Sequence, residues 1–438
     1  MYDNRFPRAW ITCTLSIPLG FAAVIVAKYL LLLIAIFTNL FFYGRFSIEE
    51  ILPWQHQLGY FVILMPVVGA FFIGFLARFG SPGIRGHGIP EAMEKILTGE
   101  SRVPRRITVL KPLSAALAIG SGGPFGAEGP IIATGGALGS WLGQLWPTAE
   151  SERKILLACG AAAGMTAIFG TPIASIFLAI ELLLFEFRTR SFIPVMLAVV
   201  TAGSLRSLFF HPEPVFAVPL LHAPNSLSMV LHFISGALYG LVAVGASKII
   251  YIIEDGFEKL PLHWMWWPAL GAIAIGVCGF FEVRSLGVGY SNITDTIAGK
   301  FGISALFSIL IFKFISWAIA LGSGTSGGTL APLLTFGACV GFLFGLLVET
   351  QFPNLHFDKH TAALVGMAAV FAGASRAVLA SAAFAVEVTG QYHVILPVLG
   401  ACASAYLVSR ALLKYSIMTE KIERRGIPVP HEYFPIKN

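Results

Sequence analysis

Charge is what this sequence has least of: only 12% of its 438 residues are Asp, Glu, Lys or Arg, against about 25% in ordinary soluble domains. With 56% apolar residues, that scarcity excludes a soluble globular chain and predicts an integral membrane protein. Cysteine is scarce as well. Cys13, Cys159, Cys278, Cys339 and Cys402 are odd in number and scattered through apolar sequence, which excludes a disulfide framework and offers no metal-ligand spacing. His211, His222, His356 and His360 fall in connections without a ligand pattern, so solvated or structural roles are expected, and neither a metal nor another cofactor. The first apolar run, about residues 10–42 with Lys28 inside it, is not followed by a small-residue cleavage site. It reads as a retained helix, not a signal peptide. No soluble domain stands apart from the apolar segments, and no nucleic-acid partner is expected.

Further apolar segments lie near 58–79, 111–146, 154–186, 191–210, 228–252, 266–281, 303–321, 330–349, 361–388 and 394–413. A bilayer span needs about 20 residues, and the internal Gly and Pro of many segments predict short, tilted or interrupted helices. The net charge of +6 is uneven. Arg78, Arg85, Lys95, Arg102, Arg105, Arg106 and Lys111 cluster in one connection, and Lys414, Lys421, Arg424 and Arg425 come late in the chain. The positive-inside tendency places both groups in the cytoplasm with Arg5 and Arg8, hence both termini there, in what reads as a bacterial inner membrane. The regions around Glu49-Glu50 and 212–225 are poor in basic residues and read as external.

One stretch of the chain is written twice. Gly120-Ser121-Gly122, followed by Pro130, Gly135, Gly139, Gly143, Ala161, Gly164, Met165 and Phe169, returns 202 residues later (322 − 120) as Gly322-Ser323-Gly324, then Pro332, Gly337, Gly341, Gly345, Ala363, Gly366, Met367 and Phe371. Duplication in a membrane chain points to two structural repeats around a site near mid-bilayer. The expected organisation is an N-terminal segment with the first helix (1–57), a first repeat (58–210), a connection with a membrane helix (211–265), a second repeat (266–413) and a cytoplasmic helix and tail (414–438). The repeated Gly-Ser-Gly loop marks where function is expected.

Three loops share one design, glycines followed by a proline near a helix start: Gly86-His87-Gly88-Ile89-Pro90, Gly126-Ala127-Glu128-Gly129-Pro130 and Gly327-Gly328-Thr329-Leu330-Ala331-Pro332. Proline suits a first helical turn because its missing N–H would be unpaired there, and glycine lets backbone approach a ligand. Each loop therefore offers free N–H groups and the positive end of a helix dipole. None contains Lys or Arg. A permeant anion must be held strongly enough to lose water and weakly enough to leave, which partial charges meet better than a full cation. One such loop alone reads better as an ordinary broken helix with packing glycines; three in a duplicated frame favour a shared anion site. Glu128, a carboxylate in apolar sequence among those N–H groups, is the sharpest candidate. Ionised, it can occupy the anion's place; protonated, it can leave it.

These residues resemble the CLC family of chloride channels and chloride/proton exchangers. The three loops are similar to that family's anion-binding motifs, and Gly366-Met367, Arg376-Ala377 and Glu387-Val388-Thr389-Gly390-Gln391-Tyr392 to its late helices. The resemblance implies an all-α CLC-like inverted repeat of many tilted and broken helices, and a homodimer with a pore in each subunit. It also implies chloride or a similar anion as cargo, with protons as a possible second one. Glu128 matches the family's gating glutamate. The residues it places around the anion are His87, Gly88, Ile89, Gly126, Ala127, Gly129, Thr329 and Leu330. Four positions depart from the family pattern. His87 stands for an anion-contacting serine, Ala127 for a basic residue, Leu182 for an internal proton-transfer glutamate, and Met418 for an anion-contacting tyrosine, with Tyr415 as the alternative occupant. They leave open whether the chain is a weakly coupled exchanger or a passive voltage- or pH-gated channel.

Two other functions compete. A cation-coupled symporter would offer carboxylates and carbonyls where these loops present helix N-termini. A hydrolase built on Ser121 or Ser323 needs a histidine partner, and no histidine is duplicated with those serines; no enzymatic activity is expected. Lys28 is expected to snorkel or pair within the bundle, and Lys313 to add positive potential near an inner vestibule. Glu181 and Glu387, each six residues after an Ala-Ser pair, are expected to satisfy nearby helix ends.

Overall fold

The computed structural model describes residues 6–430; the expectations attached to Arg5 and to the tail beyond 430 lie outside the described residues. The first repeat is entered through α1 (Phe6–Tyr43) and continues through α2 (Leu64–Phe75), α3 (Ile89–Leu97), α4 (Arg105–Gly120), α5 (Glu128–Leu145), α6 (Glu150–Phe169), α7 (Pro172–Leu178) and α8 (Thr189–Arg206). The long α9 (Ser226–Glu258) leads to α10 (Trp267–Phe281), α11 (Tyr290–Ile297), α12 (Ile303–Gly322), α13 (Leu330–Gln351), α14 (Lys359–Ser375), α15 (Val378–Thr389), α16 (Ile395–Leu412) and the short α17 (Glu420–Arg424). Among the described residues, seven helical segments are long and apolar enough to cross a bilayer, including Ala9–Tyr43, Ser226–Glu258 and Leu330–Gln351. This is an all-helical, multi-pass membrane architecture.

The breaks fall where backbone chemistry demands them. The apolar segment 111–146 divides into α4 and α5 because Gly122, at φ 108°, and the following Gly123-Pro124 cannot extend a helix. The segment 154–186 divides at the left-handed Gly170, with Pro172 opening α7. The segment 361–388 divides at Arg376, itself left-handed at φ 65°.

Helix packing repeats across the two halves. Gly135 of α5 lies against Gly160 of α6, and Gly337 of α13 against Gly366 of α14; a Cβ at any of the four would come within 2.6 Å of a facing carbonyl oxygen. Such contacts between small residues let membrane helices approach closely. The halves also cross. Gly74 meets the Met265 carbonyl and Gly276 meets the Ile63 carbonyl, and both pairs of equivalent positions differ by 202 (276 − 74 and 265 − 63).

The duplicated Gly-Ser-Gly sequences are not the site. They are the C-terminal ends of α4 and α12, where Ser121 Oγ donates to the Ala118 carbonyl and Ser323 Oγ to the Ala320 carbonyl. Each serine faces a glycine of the neighbouring helix, Gly69 and Gly271 respectively. They are packing elements, and the helix starts a few residues further on do the converging.

Candidate anion site at the junction of three helix starts

The three glycine-rich loops meet backbone to backbone. Gly327 N–H donates to the Gly86 carbonyl at 3.3 Å, and Gly328 and Gly126 exchange bonds, N to O, of 3.2 and 3.3 Å. Among the described residues these contacts form the two isolated bridges, Gly86 with Ser326 and Gly126 with Gly328. Side chains would prevent the approach. A Cβ on Gly88 would lie 2.2 Å from the Gly129 oxygen, and one on Gly129 would lie 1.9 Å from the His87 oxygen. Gly88 also sits at φ 96°, which other residues adopt only under strain. The starts of α3, α5 and α13 therefore converge, each opening with N–H groups that have no acceptor in their own helix.

Each loop also contributes one buried polar side-chain atom without a hydrogen-bond partner: His87 Nδ1, Glu128 Oε2 and Thr329 Oγ1. His87 is 2%, Glu128 0% and Thr329 1% exposed. Orphaned polar atoms are rare in protein interiors and costly, on the order of 1–3 kcal/mol each. Others are spread through the described residues, Tyr239 Oη and Trp317 Nε1 among them, but these three come one from each of the loops that meet here. Ile89, Ala127 and Leu330 are buried beside them.

The loop carrying His87 is held from behind. Lys111 Nζ donates to the Ile84 and Gly86 carbonyls at 2.8 and 2.9 Å, and Glu91 receives the Gly88 N–H at 2.6 Å. Lys111 thus differs from the surface cluster with which its sequence position groups it. It lies within α4 at 1% exposure because its ammonium is needed by those carbonyls.

The Glu128 side chain folds back over Gly126, whose Cβ would overlap Oε2. Its Oε1 accepts a 3.0 Å hydrogen bond from Tyr290 Oη, at the start of α11. The Tyr290 ring is held by Phe169 and Phe216, with centroids 5.7 and 5.4 Å away. The sequence reading missed Tyr290. The available signal was Gly287-Val288-Gly289, a second Gly-x-Gly like that of residues 86–88, followed by a lysine at the repeat spacing of 202 (313 − 111). Lys313 Nζ donates to the Ser285 and Gly287 carbonyls at 3.1 and 2.5 Å. Its ammonium is engaged by the loop before Tyr290.

The remaining candidates lie apart from the three-loop junction in sequence. Met418 is fully buried, next to Ile417, whose N–H donates to the Ala374 carbonyl and whose carbonyl accepts from Tyr251 Oη. Tyr415 is only partly buried, with Lys414 Nζ 5.0 Å from its ring centre. Leu182 is buried and lines a cavity of about 280 Å³ with Glu181, Arg376, Tyr406 and Arg410. Lys28 Nζ lies 5.4 Å from the Phe210 ring centre, in keeping with pairing inside the bundle.

Paired, crossing halves of broken helices around a buried junction of helix starts define a multi-pass membrane protein of the inverted-repeat class. Residues 69–410 match the family model described as voltage gated chloride channel, and the chain belongs to this CLC family. It is 30% identical over 394 residues to the H(+)/Cl(-) exchange transporter ClcA of Vibrio parahaemolyticus, covering 87% of this chain and 82% of that protein. Its fold is similar to that of a slow cyanobacterial Cl-/H+ antiporter, with TM-score 0.83 and 24% identity over 94% of this chain and 97% of the other. It is also similar to that of a CLC-type fluoride/proton antiporter, with TM-score 0.78 and 20% identity over 95% and 98% of the two chains.

Proposed function

We propose that this protein moves chloride or a similar small anion across the membrane, through a pathway in each subunit of a homodimer, and that protonation of Glu128 opens that pathway. The observation that carries the reading is the junction of three helix starts, each with one unpartnered buried polar atom. His87 and Thr329 can donate to an anion, as can the opening N–H groups of α5 and α13. Helix dipoles add positive potential without a fixed cation in the loops. Such a site holds an anion by partial charges and releases it readily. The ionised Glu128 carboxylate competes for the same donors and closes the path. Once protonated, it no longer needs them and can swing aside for the anion.

The relative named as an exchange transporter supports movement of protons along with chloride. Two residues argue that the coupling is loose. Leu182 carries no group able to relay a proton, so any route to Glu128 from the cytoplasmic side relies on water, His87 or another residue. In the alignment that sets Met418, and not the alternative Tyr415, at the family's tyrosine position, an apolar thioether replaces a hydroxyl that would grip the anion. The expected behaviour is substantial chloride flux with few protons per chloride.

Purified protein in liposomes, with chloride and proton flux recorded together under a chloride gradient, tests this reading. Chloride flux that rises on acidification, with proton movement well below a fixed exchange ratio, is expected. Absence of anion flux would remove the proposal, and a fixed proton-to-chloride ratio across gradient sizes would remove the loose-coupling part of it.

A further inference from the structure

The loop that precedes α11 is built like the loop that precedes α3. In both, a buried lysine from the next helix but one, α4 or α12, donates to two carbonyls: Lys111 to Ile84 and Gly86, Lys313 to Ser285 and Gly287. In both, a Gly-x-Gly with a left-handed second glycine, Gly88 at φ 96° and Gly289 at φ 77°, opens a short helix. The first loop places His87 at the junction. The second places Tyr290 at its start, with the hydroxyl on Glu128 Oε1.

The two loops differ in their carboxylate. Glu91 accompanies Lys111, whereas Asn292 stands at the corresponding place in α11, and its Nδ2 donates to the Arg284 carbonyl. Oε1 of the Glu128 carboxylate thus meets a hydroxyl donor carried on a loop fixed by a buried lysine. The Tyr290 ring has little freedom to follow Glu128 if that side chain turns away, because Phe169 and Phe216 pack against it.

We propose that Tyr290 is the latch of the Glu128 gate: its hydroxyl stabilises the ionised side chain in the closed position and so sets the acidity at which the path opens. The proposal rests on the reading of Glu128 as the gate. A phenol O–H donates to a carboxylate oxygen, and bonds to charged groups are the stronger ones. The unpartnered Oε2 is the oxygen left to take the proton. Protonation removes the charge that the hydroxyl favours and frees the side chain. The groups of charge or titratable character around Glu128 are Tyr290 from α11, His87 from the loop before α3 with Glu91 and Lys111 behind it, and, one layer back on α12, Lys313; the α5 start and α13 bring Gly126, Ala127, Gly129 and Ala331, none of which titrates.

Chloride efflux from liposomes is measured against pH for the parent, Tyr290→Phe, Glu128→Gln and the double variant. Loss of the hydroxyl destabilises the closed, ionised state, so Tyr290→Phe shifts half-maximal flux to higher pH by about one unit, roughly the value of one charge-assisted hydrogen bond. Glu128→Gln loses the rise of flux on external acidification, and the double variant matches it. An unmoved midpoint in Tyr290→Phe alongside loss of that rise in Glu128→Gln overturns the latch alone. A Glu128→Gln protein that keeps the parental pH response overturns the gate and the latch together.

Discussion

Glu181 and Glu387 cap each other's helices. Glu387, on α15, receives the Ile173 and Ala174 N–H groups at the start of α7 at 3.0 and 2.8 Å. Glu181, at the end of the α7 segment, receives the Leu379 and Ala380 N–H groups at the start of α15 at 3.1 and 2.9 Å. Each carboxylate lies at a positive helix end and accepts two bonds, which compensates for its removal from water. The exchange ties one repeat to the other, and it fulfils the expectation that these glutamates satisfy helix ends.

Removing either carboxylate leaves two amides unpaired at a helix start. Glu387→Ala and Glu181→Ala are each expected to cost on the order of 2 kcal/mol. Heating in detergent, followed by size-exclusion chromatography, should show earlier loss of the monodisperse protein for both, with Glu387→Gln intermediate because it keeps one acceptor. Parental heat resistance in both alanine variants would show that these bonds contribute little.

Chloride flux should track the charge of Glu128. Glu128→Gln carries a neutral side chain of the same size and is expected to conduct at neutral pH about as the parent does in acid. The check is chloride efflux between about pH 4 and 8, where carboxylates and histidines ordinarily titrate. A parental pH profile would exclude Glu128 as the gate.

His87 should tune the anion preference. A neutral imidazole donates one hydrogen bond, as a serine hydroxyl does, and an imidazolium holds an anion more tightly. His87→Ser is expected to change relative anion permeability or the response to cytoplasmic pH in a protein that still folds. If both stay as in the parent, the imidazole serves only its surroundings.

Coupling should increase when the two departures are reversed together. Leu182→Glu supplies a proton carrier beside the cavity that contains Glu181, and Met418→Tyr supplies a hydroxyl donor. The double variant is expected to move more protons per chloride than the parent in the paired-flux assay. An unchanged ratio would mean that coupling is set elsewhere.

The contact among the loops leaves no room for a methyl group. Gly88→Ala would put a carbon 2.2 Å from the Gly129 oxygen, besides straining a left-handed position. A loss of flux of at least tenfold, or failure to purify as a stable protein, is the expected result. Full activity would show that these backbones separate easily.

Much of this was legible in the sequence because the repeat is written in residues whose roles are narrow. Gly, Pro and a lone buried carboxylate mean few things in apolar sequence, so the three loops and Glu128 stood out. The same narrowness misled at Gly-Ser-Gly: Ser121 and Ser323 recur because Gly69 and Gly271 pack on them, which requires a small residue, not a reactive one. Tyr290 was missed for the opposite reason. A tyrosine in a short helix has many ordinary uses, and its bond to Glu128 spans 162 residues. Lys111 looked like one more basic residue of a charged connection, and only the fold shows its ammonium turned inward.

The paired bonds between Gly126 and Gly328 restrict how any transport cycle can work. Many carriers built from inverted repeats expose their cargo alternately by rocking one half against the other around a central site. Here the halves are joined by main-chain bonds at that centre and by exchanged glutamates away from it, so a rigid rocking motion would break both sets in every turnover. The motion that remains inexpensive is the rotation of a single side chain. Turnover should therefore respond strongly to changes around that one carboxylate, and weakly to agents that stiffen or thicken the surrounding bilayer.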